Sequence, residues 1–532
     1  MGIRIGDHGI KSALLALFVL GTGLRAFAAP GPGSNPFEGQ AGSTPRSRID
    51  ELVFSRLEKL GLTPAKLCSD AVFVRRAWLD VIGTVPTAEE AREFFRDRRP
   101  DKRRALIDRL LERDEFADYW AMKWSDLLRV KAEFPINLWP NAAQAYHRWI
   151  RTAIKENMPY DQFARELLTS SGSNFRVGPV NFYRALQNKE PLGIAQTVAL
   201  TFMGTRAEKW PTNQLAHLAG FFSLVGYKST KEWKEEIVFF DPGLATNGLA
   251  KAAAFPDGTP VLLAPDSDPR KVFANWLIDP KNPWFARNIA NRIWAWLLGR
   301  GIVHEPDDIR PDNPPSHPEL LALLEKELIS ANYNLKHLYR LILNSQTYQL
   351  SSIPQTDKPE AAANFACYPL RRLEAEVLID ALNQITVSTE KYSSSIPEPF
   401  TFIPEDQRSI ALPDGSITSS FLEMFGRPPH DTGLESERNN RLTTAQQLHL
   451  LNSSQIQRKI EQSPMVQIQR QGNRTPRQIA TGLYLRILSR FPSEAELEIL
   501  GVDSPSSGMK GREGAVDLAW ALINSAEFLY RH

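Results

Sequence analysis

Cysteine is almost missing from this chain: Cys68 and Cys367 are the only two in 532 residues. They fall in different halves, so a disulfide framework is excluded as the source of stability, and no Cys/His set has zinc-site spacing. An excess of one charge is missing too. The formal net charge is only +2, so the basic surface by which a protein meets nucleic acid or an anionic membrane is not expected. Sustained two-residue alternation of apolar and polar side chains is scarce, which argues against a β-rich fold. Nor is there a Gly-rich phosphate loop, a nucleophile elbow or a cysteine nucleophile with a partner.

The longest apolar run is Ser12 to Leu20, preceded by Arg4 and Lys11 and followed by Ala26-Phe27-Ala28 ahead of Ala29-Pro30. It is shorter than the ~20 residues that span a bilayer, and it has the layout of a cleaved secretory signal, with Arg25 its one irregularity. Residues 1–28 are therefore expected to be removed, and no membrane span is expected afterwards. Loss of Arg4, Lys11, Arg25 and Asp7 with that segment leaves a formally neutral chain. Residues 29–45, rich in Pro, Gly and Ser, read as a flexible leader. An exported protein, periplasmic or extracellular, follows from these features.

What remains exceeds one ordinary core, and 42% hydrophobic residues are enough to build more than one. Stripes such as Leu106, Leu110, Phe116, Trp120, Trp124, Leu127 and Phe285, Ile289, Ile293, Trp296, Leu297 recur at helical steps. A phrase also recurs three times. Pro86-Thr-Ala-Glu-Glu90 leads to Leu110-Leu-Glu-Arg-Asp-Glu-Phe116, Pro315-Ser-His-Pro-Glu319 to Ile342-Leu-Asn-Ser-Gln-Thr-Tyr348, and Pro492-Ser-Glu-Ala-Glu496 to Leu522-Ile-Asn-Ser-Ala-Glu-Phe528. Thr87, Ser316 and Ser493, each with Glu three residues on, read as capping boxes opening helical hairpins. The expected fold is mainly α: two helical domains built partly from recurring hairpins, with Pro-rich loops such as Pro397 to Pro413. Residues 46–255 form the first domain, 256–269 a linker and 270–532 the second.

Two polar stretches could carry chemistry. His304-Glu-Pro-Asp-Asp308 together with Asp312 to Glu319 offers Asp307, Asp308 and His317 for a metal or for acid-base work. The spacing is not that of a His-x-x-x-His pair or a two-His-one-carboxylate set, and a rigid Pro-rich loop serves equally. Phe425-Gly-Arg-Pro-Pro-His-Asp-Thr-Gly433 with Glu435-Ser-Glu-Arg438 offers Arg427, His430, Glu435 and Arg438 for an anion or a sugar. The alternative is a solvated charge run leading into a helix that starts near Thr443 or Thr444.

Longer phrases resemble a known family. Ile49-Asp-Glu-Leu, Phe73-Val-Arg-Arg-Ala-Trp-Leu-Asp80 and Gly83-Thr-Val-Pro86 resemble the first domain of the planctomycete and verrucomicrobial proteins of unknown function called planctomycete cytochrome-C-like. Asn282-Pro-Trp-Phe-Ala-Arg-Asn-Ile-Ala-Asn-Arg-Ile-Trp294, Asn313-Pro-Pro-Ser-His-Pro-Glu319, Phe425-Gly-Arg-Pro428 and Leu448-His-Leu-Leu-Asn452 resemble the second domain that accompanies it. The resemblance implies secretion and, in many relatives, a Cys-x-x-Cys-His haem motif. The matching stretch here is Phe202-Met-Gly-Thr-Arg-Ala-Glu-Lys-Trp210, and a Cys-Glu-Cys-Glu-Arg-like phrase is replaced by Leu434-Glu-Ser-Glu-Arg438. Covalent c-type haem needs both thiols and the histidine, so no cofactor is expected and an electron carrier is disfavoured.

Three functions can be weighed. The first is a scaffold, accessory or binding protein that works with other secreted proteins or with polysaccharide. The second is an extracellular glycan hydrolase using paired carboxylates near Asp307 and Glu435, whose separation the sequence does not give. The third is electron transfer. Protein made in a host competent for c-type cytochrome maturation is expected to lack both Soret absorbance and the mass increment of attached haem. Stoichiometric haem that survives denaturation would reinstate electron transfer.

Overall fold

Helices carry this structure, a computed structural model that describes residues 35–39, 42–247, 253–264, 267–467, 474–504 and 512–532. The expected signal peptide lies outside the described residues, as does part of the leader. Strand is confined to small pieces. Val225–Ser229 and Glu236–Phe240 form an antiparallel hairpin joined at its edge by Gly172–Ser173, and Arg371–Arg372 pairs with Tyr530–Arg531. Among the described residues no helix is long and apolar enough to cross a membrane.

The apolar stripes are core. Leu106 and Leu110 lie on helix Lys102–Leu111, and Phe116, Trp120, Trp124 and Leu127 on helix Asp114–Leu127; all six are buried. Phe285 to Leu297 occupy helix Phe285–Leu298, and Trp296 reaches both Trp120 and Trp124 with ring centroids 5.4 and 6.0 Å away. The two stretches expected as separate domains thus meet in shared apolar packing. Phe255, at the edge of the expected linker, stacks between Phe221 and Trp276. Trp276 sits on helix Pro269–Leu277, which Asp268 caps.

Helix Asp70–Ile82 runs through the middle of this packing and is buried from Val72 to Ile82. Its charged side chains reach the far end of the chain. Arg75 donates to the carbonyls of Ile487 and Phe528, and Arg76 to those of His532, Tyr348 and Leu350. Arg76 also lies 3.8 Å over the ring of Tyr368. A guanidinium has donors enough to serve several carbonyls at once, which offsets the cost of burying its charge.

Two of the three recurring phrases open as capping boxes. Thr87 caps helix Ala88–Arg96 with Glu90 returning the bond, and Ser493 caps Glu494–Ile499 with Glu496. In both, one arginine ties the opening glutamate to the closing one: Arg113 holds Glu90 and Glu115, and Arg490 holds Glu496 and Glu527. The third departs from expectation. Helix Pro318–Ser330 is capped by His317, whose Nδ1 accepts from the Leu320 amide at 3.2 Å, and the Ser316 hydroxyl is buried without a partner. Pro318 at the first helical position moves the start one residue along, so Glu319 cannot return the bond. The hairpin description fits this copy, where helix Pro318–Ser330 packs on Leu335–Leu343; in the first copy helix Lys102–Leu111 packs instead on Asp70–Ile82.

Thr87→Ala and Ser493→Ala are each expected to lose ~1 kcal/mol of unfolding free energy. Ser316→Ala is expected to lose nothing from capping. Urea denaturation of the three variants measures this, and an equal loss for all three would contradict the assignment of His317 as the cap.

Candidate functional site

The two polar stretches singled out in the sequence converge. Arg292, from the buried face of helix Phe285–Leu298, donates to Asp307 at 2.8 Å, and both side chains are buried. The second Asp307 oxygen accepts the Glu435 amide at 2.6 Å. The Glu435 carboxylate returns toward Arg292 at 3.8 Å and accepts from the Trp296 indole at 3.1 Å. Here the loop around 307 and the short turn Glu435–Glu437 are held to one helix by one cation.

Beside this group lies a second. Arg438 grips Asp126 through two nitrogens at 2.9 and 2.8 Å and Glu376 through two at 2.8 and 3.0 Å. Glu376, from the buried helix Ala375–Thr386, also faces Arg427 at 3.5 Å, and Arg427 donates to the Ile417 carbonyl. His430 stands with Nε2 3.0 Å from Asp126 and Nδ1 3.1 Å from the Val130 carbonyl. The ring thus lies between a carboxylate and a carbonyl. Lys123, Asp126, Arg292, Glu435 and Arg438 line the cavity between the groups, which at about 10 Å³ holds one water at most.

The electrostatics follow from these pairings. Burial would raise the Asp126 carboxyl, but Arg438, His430 and Lys123 outweigh it and hold it down at about 2. Burial opposes ionisation of Glu376 as well, and Arg438 and Arg427 bring it below its ordinary value. Buried cations therefore favour the ionised form of both acids. A general acid for glycoside cleavage needs the opposite, a carboxyl raised so that it still carries its proton.

Of the residues predicted from sequence, Asp307, Arg427, His430, Glu435 and Arg438 are thus brought together. Asp308 and His317 are not. Asp308 faces the surface toward Arg310 at 3.1 Å and Lys209 at 3.9 Å. His317 is fully employed by its cap and by the Leu52 carbonyl 3.0 Å from Nε2. Among the described residues no group of three or more His, Cys, Asp or Glu side chains could hold a metal ion. Sequence reasoning missed Arg292, Asp126, Glu374 and Glu376. Their signal is a charged residue set on the apolar face of a helix, where it must find a buried partner.

The stretch in the place of the haem motif has other work. Gly204 turns in the left-handed region at φ 62°, and a Cβ there would come within 2.6 Å of Asn288 and 2.9 Å of the Pro306 carbonyl. Ile309 donates its amide to the Gly204 carbonyl, the Thr205 hydroxyl donates to the Ile309 carbonyl, and Arg206 pairs with Glu305. Residues 204–209 thus clamp the 305–309 loop, and with it Asp307.

Comparison with protein families follows the same division. Residues 48–212 match PSCyt2, a protein of unknown function (DUF1549), and residues 269–502 match PSD1, a protein of unknown function (DUF1553). The chain thus carries these two domains in this order. No curated protein and no solved structure matches it. The buried ion groups join the two matched regions: Asp126 comes from the PSCyt2 part, and Arg292, Asp307, Glu376, His430 and Arg438 from the PSD1 part.

Acid should weaken this structure in a defined window. Burial, with Arg151 and His430 nearby, pushes His147 down to about 4, and burial with Arg75 and Arg76 pushes His532 down to about 3. An unfolded histidine titrates near ~6.5, so between there and ~4 the unfolded state binds more protons and stability falls as pH falls. Unfolding free energy measured from about pH 7 to about pH 4 is expected to drop, with a shallower slope for His147→Gln. A flat profile, or an unchanged slope in the variant, would show that these rings are not held neutral.

Proposed function

We propose that the protein is an exported accessory protein that binds an apolar segment of another exported protein, and that it is not a hydrolase acting through Asp307 or Glu435. One observation carries the reading. An open groove of about 870 Å³ is walled by Phe37, Ile353, Leu370, Leu450, Leu529 and Tyr530. Its walls leave Leu370 60% and Ile353 37% exposed, an apolar surface of the kind that marks contact sites. The groove is open to solvent, which suits a stretch of polypeptide better than a small molecule that must be mostly enclosed. Aliphatic walls with few polar groups suit an amphipathic segment better than a sugar chain.

Three elements build the groove from distant parts of the sequence. Helix Thr444–Asn452 is capped by Thr443 with Gln446 returning the bond, which turns Leu450 inward. Helix Ala526–Leu529 supplies the opposite wall. Phe37 closes one end, held edge-on by the His532 ring at 5.7 Å. The neutralised carboxylates support the same reading from the other side, because each is already paired with a buried cation.

The test is photocrosslinking from position 370 in the exporting host. The recovered protein is expected to begin near Ala29 by intact mass and to be joined to a discrete second polypeptide. That polypeptide, purified, is expected to bind the wild type and to bind Leu370→Glu at least ~10-fold more weakly. Retention of Met1, crosslinks only to a second copy or to lipid, or equal binding by Leu370→Glu would overturn the proposal.

A further inference from the structure

Away from the groove, a group of aromatic side chains stands on the surface around one lysine. Trp139 lies at the start of helix Pro140–Lys155, with no side-chain cap and a backbone at φ 71° and ψ 147°. Residues other than glycine rarely adopt this conformation, because it strains the backbone. Only a glycine at this place would relieve the strain. The backbone is nevertheless pinned, with the Trp139 amide donating to Ala132 and its carbonyl accepting from Ala143. The indole lies against Phe400 with ring centroids 5.2 Å apart.

The hairpin turn at 230–235 completes the surface. Lys234 lies 5.9 Å from the Trp139 ring and 5.2 Å from the Trp233 ring, so the ammonium bridges two indoles. Trp233 is 69% exposed, Phe400 46%, and Phe134, on the loop before Trp139, 79%. The neighbouring acid does not neutralise the lysine. Glu235 is turned into the sheet, where Ser173 and Thr230 donate to it at 2.5 and 2.7 Å. Among the described residues Lys234 has no carboxylate partner.

Flat, exposed rings with restricted rotamers present a face to the C–H side of a sugar ring at little entropic cost. A cation between two such rings, with no anion of its own, adds a specific demand for negative charge. We propose that Trp139, Phe400, Trp233 and Lys234 form a binding surface for a polysaccharide that carries carboxylate or sulfate groups. This site is separate from the groove and does not depend on what the groove holds.

Native affinity electrophoresis of the purified protein tests it, in gels containing alginate for carboxylate, carrageenan for sulfate or dextran for neither. Retardation by alginate or carrageenan and not by dextran is expected, and the stronger of the two identifies the anionic group. Trp233→Ala and Lys234→Gln, both exposed, are expected to weaken the retardation roughly tenfold each with thermal unfolding unchanged, while Leu370→Glu leaves it intact. Retardation by neither charged gel, equal retardation by dextran, undiminished binding by both variants, or binding only to phosphatidylglycerol vesicles would overturn the proposal.

Discussion

Asp80 is the charge on which the arrangement of the two matched regions depends. It is buried on helix Asp70–Ile82 and meets four partners from later in the chain. Tyr348 and Tyr368 each donate a hydroxyl to it at 2.8 Å, and Arg531 and Arg371 stand at 3.1 and 3.3 Å. Arg531 passes the connection to Glu374, Glu374 to Lys123 at 2.7 Å, and Lys123 lines the cavity shared with Asp126, Arg292 and Arg438. An almost continuous line of buried charge therefore runs from the last residues of the chain to the convergence of the two polar stretches.

Such a line is a weak source of net stability, because desolvating each ion costs several kcal/mol that the pairing only offsets. Its effect is on alternatives. Removing one partner strands a charge in the core, at ~3–5 kcal/mol, so a mispacked arrangement of helices is penalised far more than an apolar core would penalise it. Glu374 illustrates the balance. Burial would raise its carboxyl, yet Arg531 and Lys123 hold it well below the ordinary range. The acids around Arg438 are likewise paired with their cations.

Much of the local structure was legible in the sequence, because local structure is written in short intervals. Helical periodicity placed the Trp120 and Trp296 stripes in the core, and Thr87 and Ser493 marked two helix starts. Ser316 misled because Pro318 competes for the first helical turn and His317, a poorer cap on average, is the side chain that reaches. The hairpin from Val225 to Phe240 escaped notice because its strands are five residues each, too short for alternation to stand out. The candidate site was half legible. Its polar loops were visible, but their partners were not: Arg438 meets Asp126 across 312 positions, and no short-range spacing encodes that meeting. Trp139 and Lys234 carry no sequence signal for their shared surface, which exists only once the hairpin folds over the start of the helix.

The reach of Arg75 and Arg76 has a bearing on the order in which the protein can assemble. Both belong to a helix made early in synthesis, and their acceptors lie 412, 453 and 456 positions further on, at Ile487, Phe528 and His532. Arg76 has nearer acceptors as well, at Tyr348 and Leu350, whereas both acceptors of Arg75, Ile487 and Phe528, belong to the late segment. Packing around these side chains therefore raises the contact order of the fold. Burying the Arg75 guanidinium thus requires the segment from Ile487 to Phe528 to be in place beside the central helix.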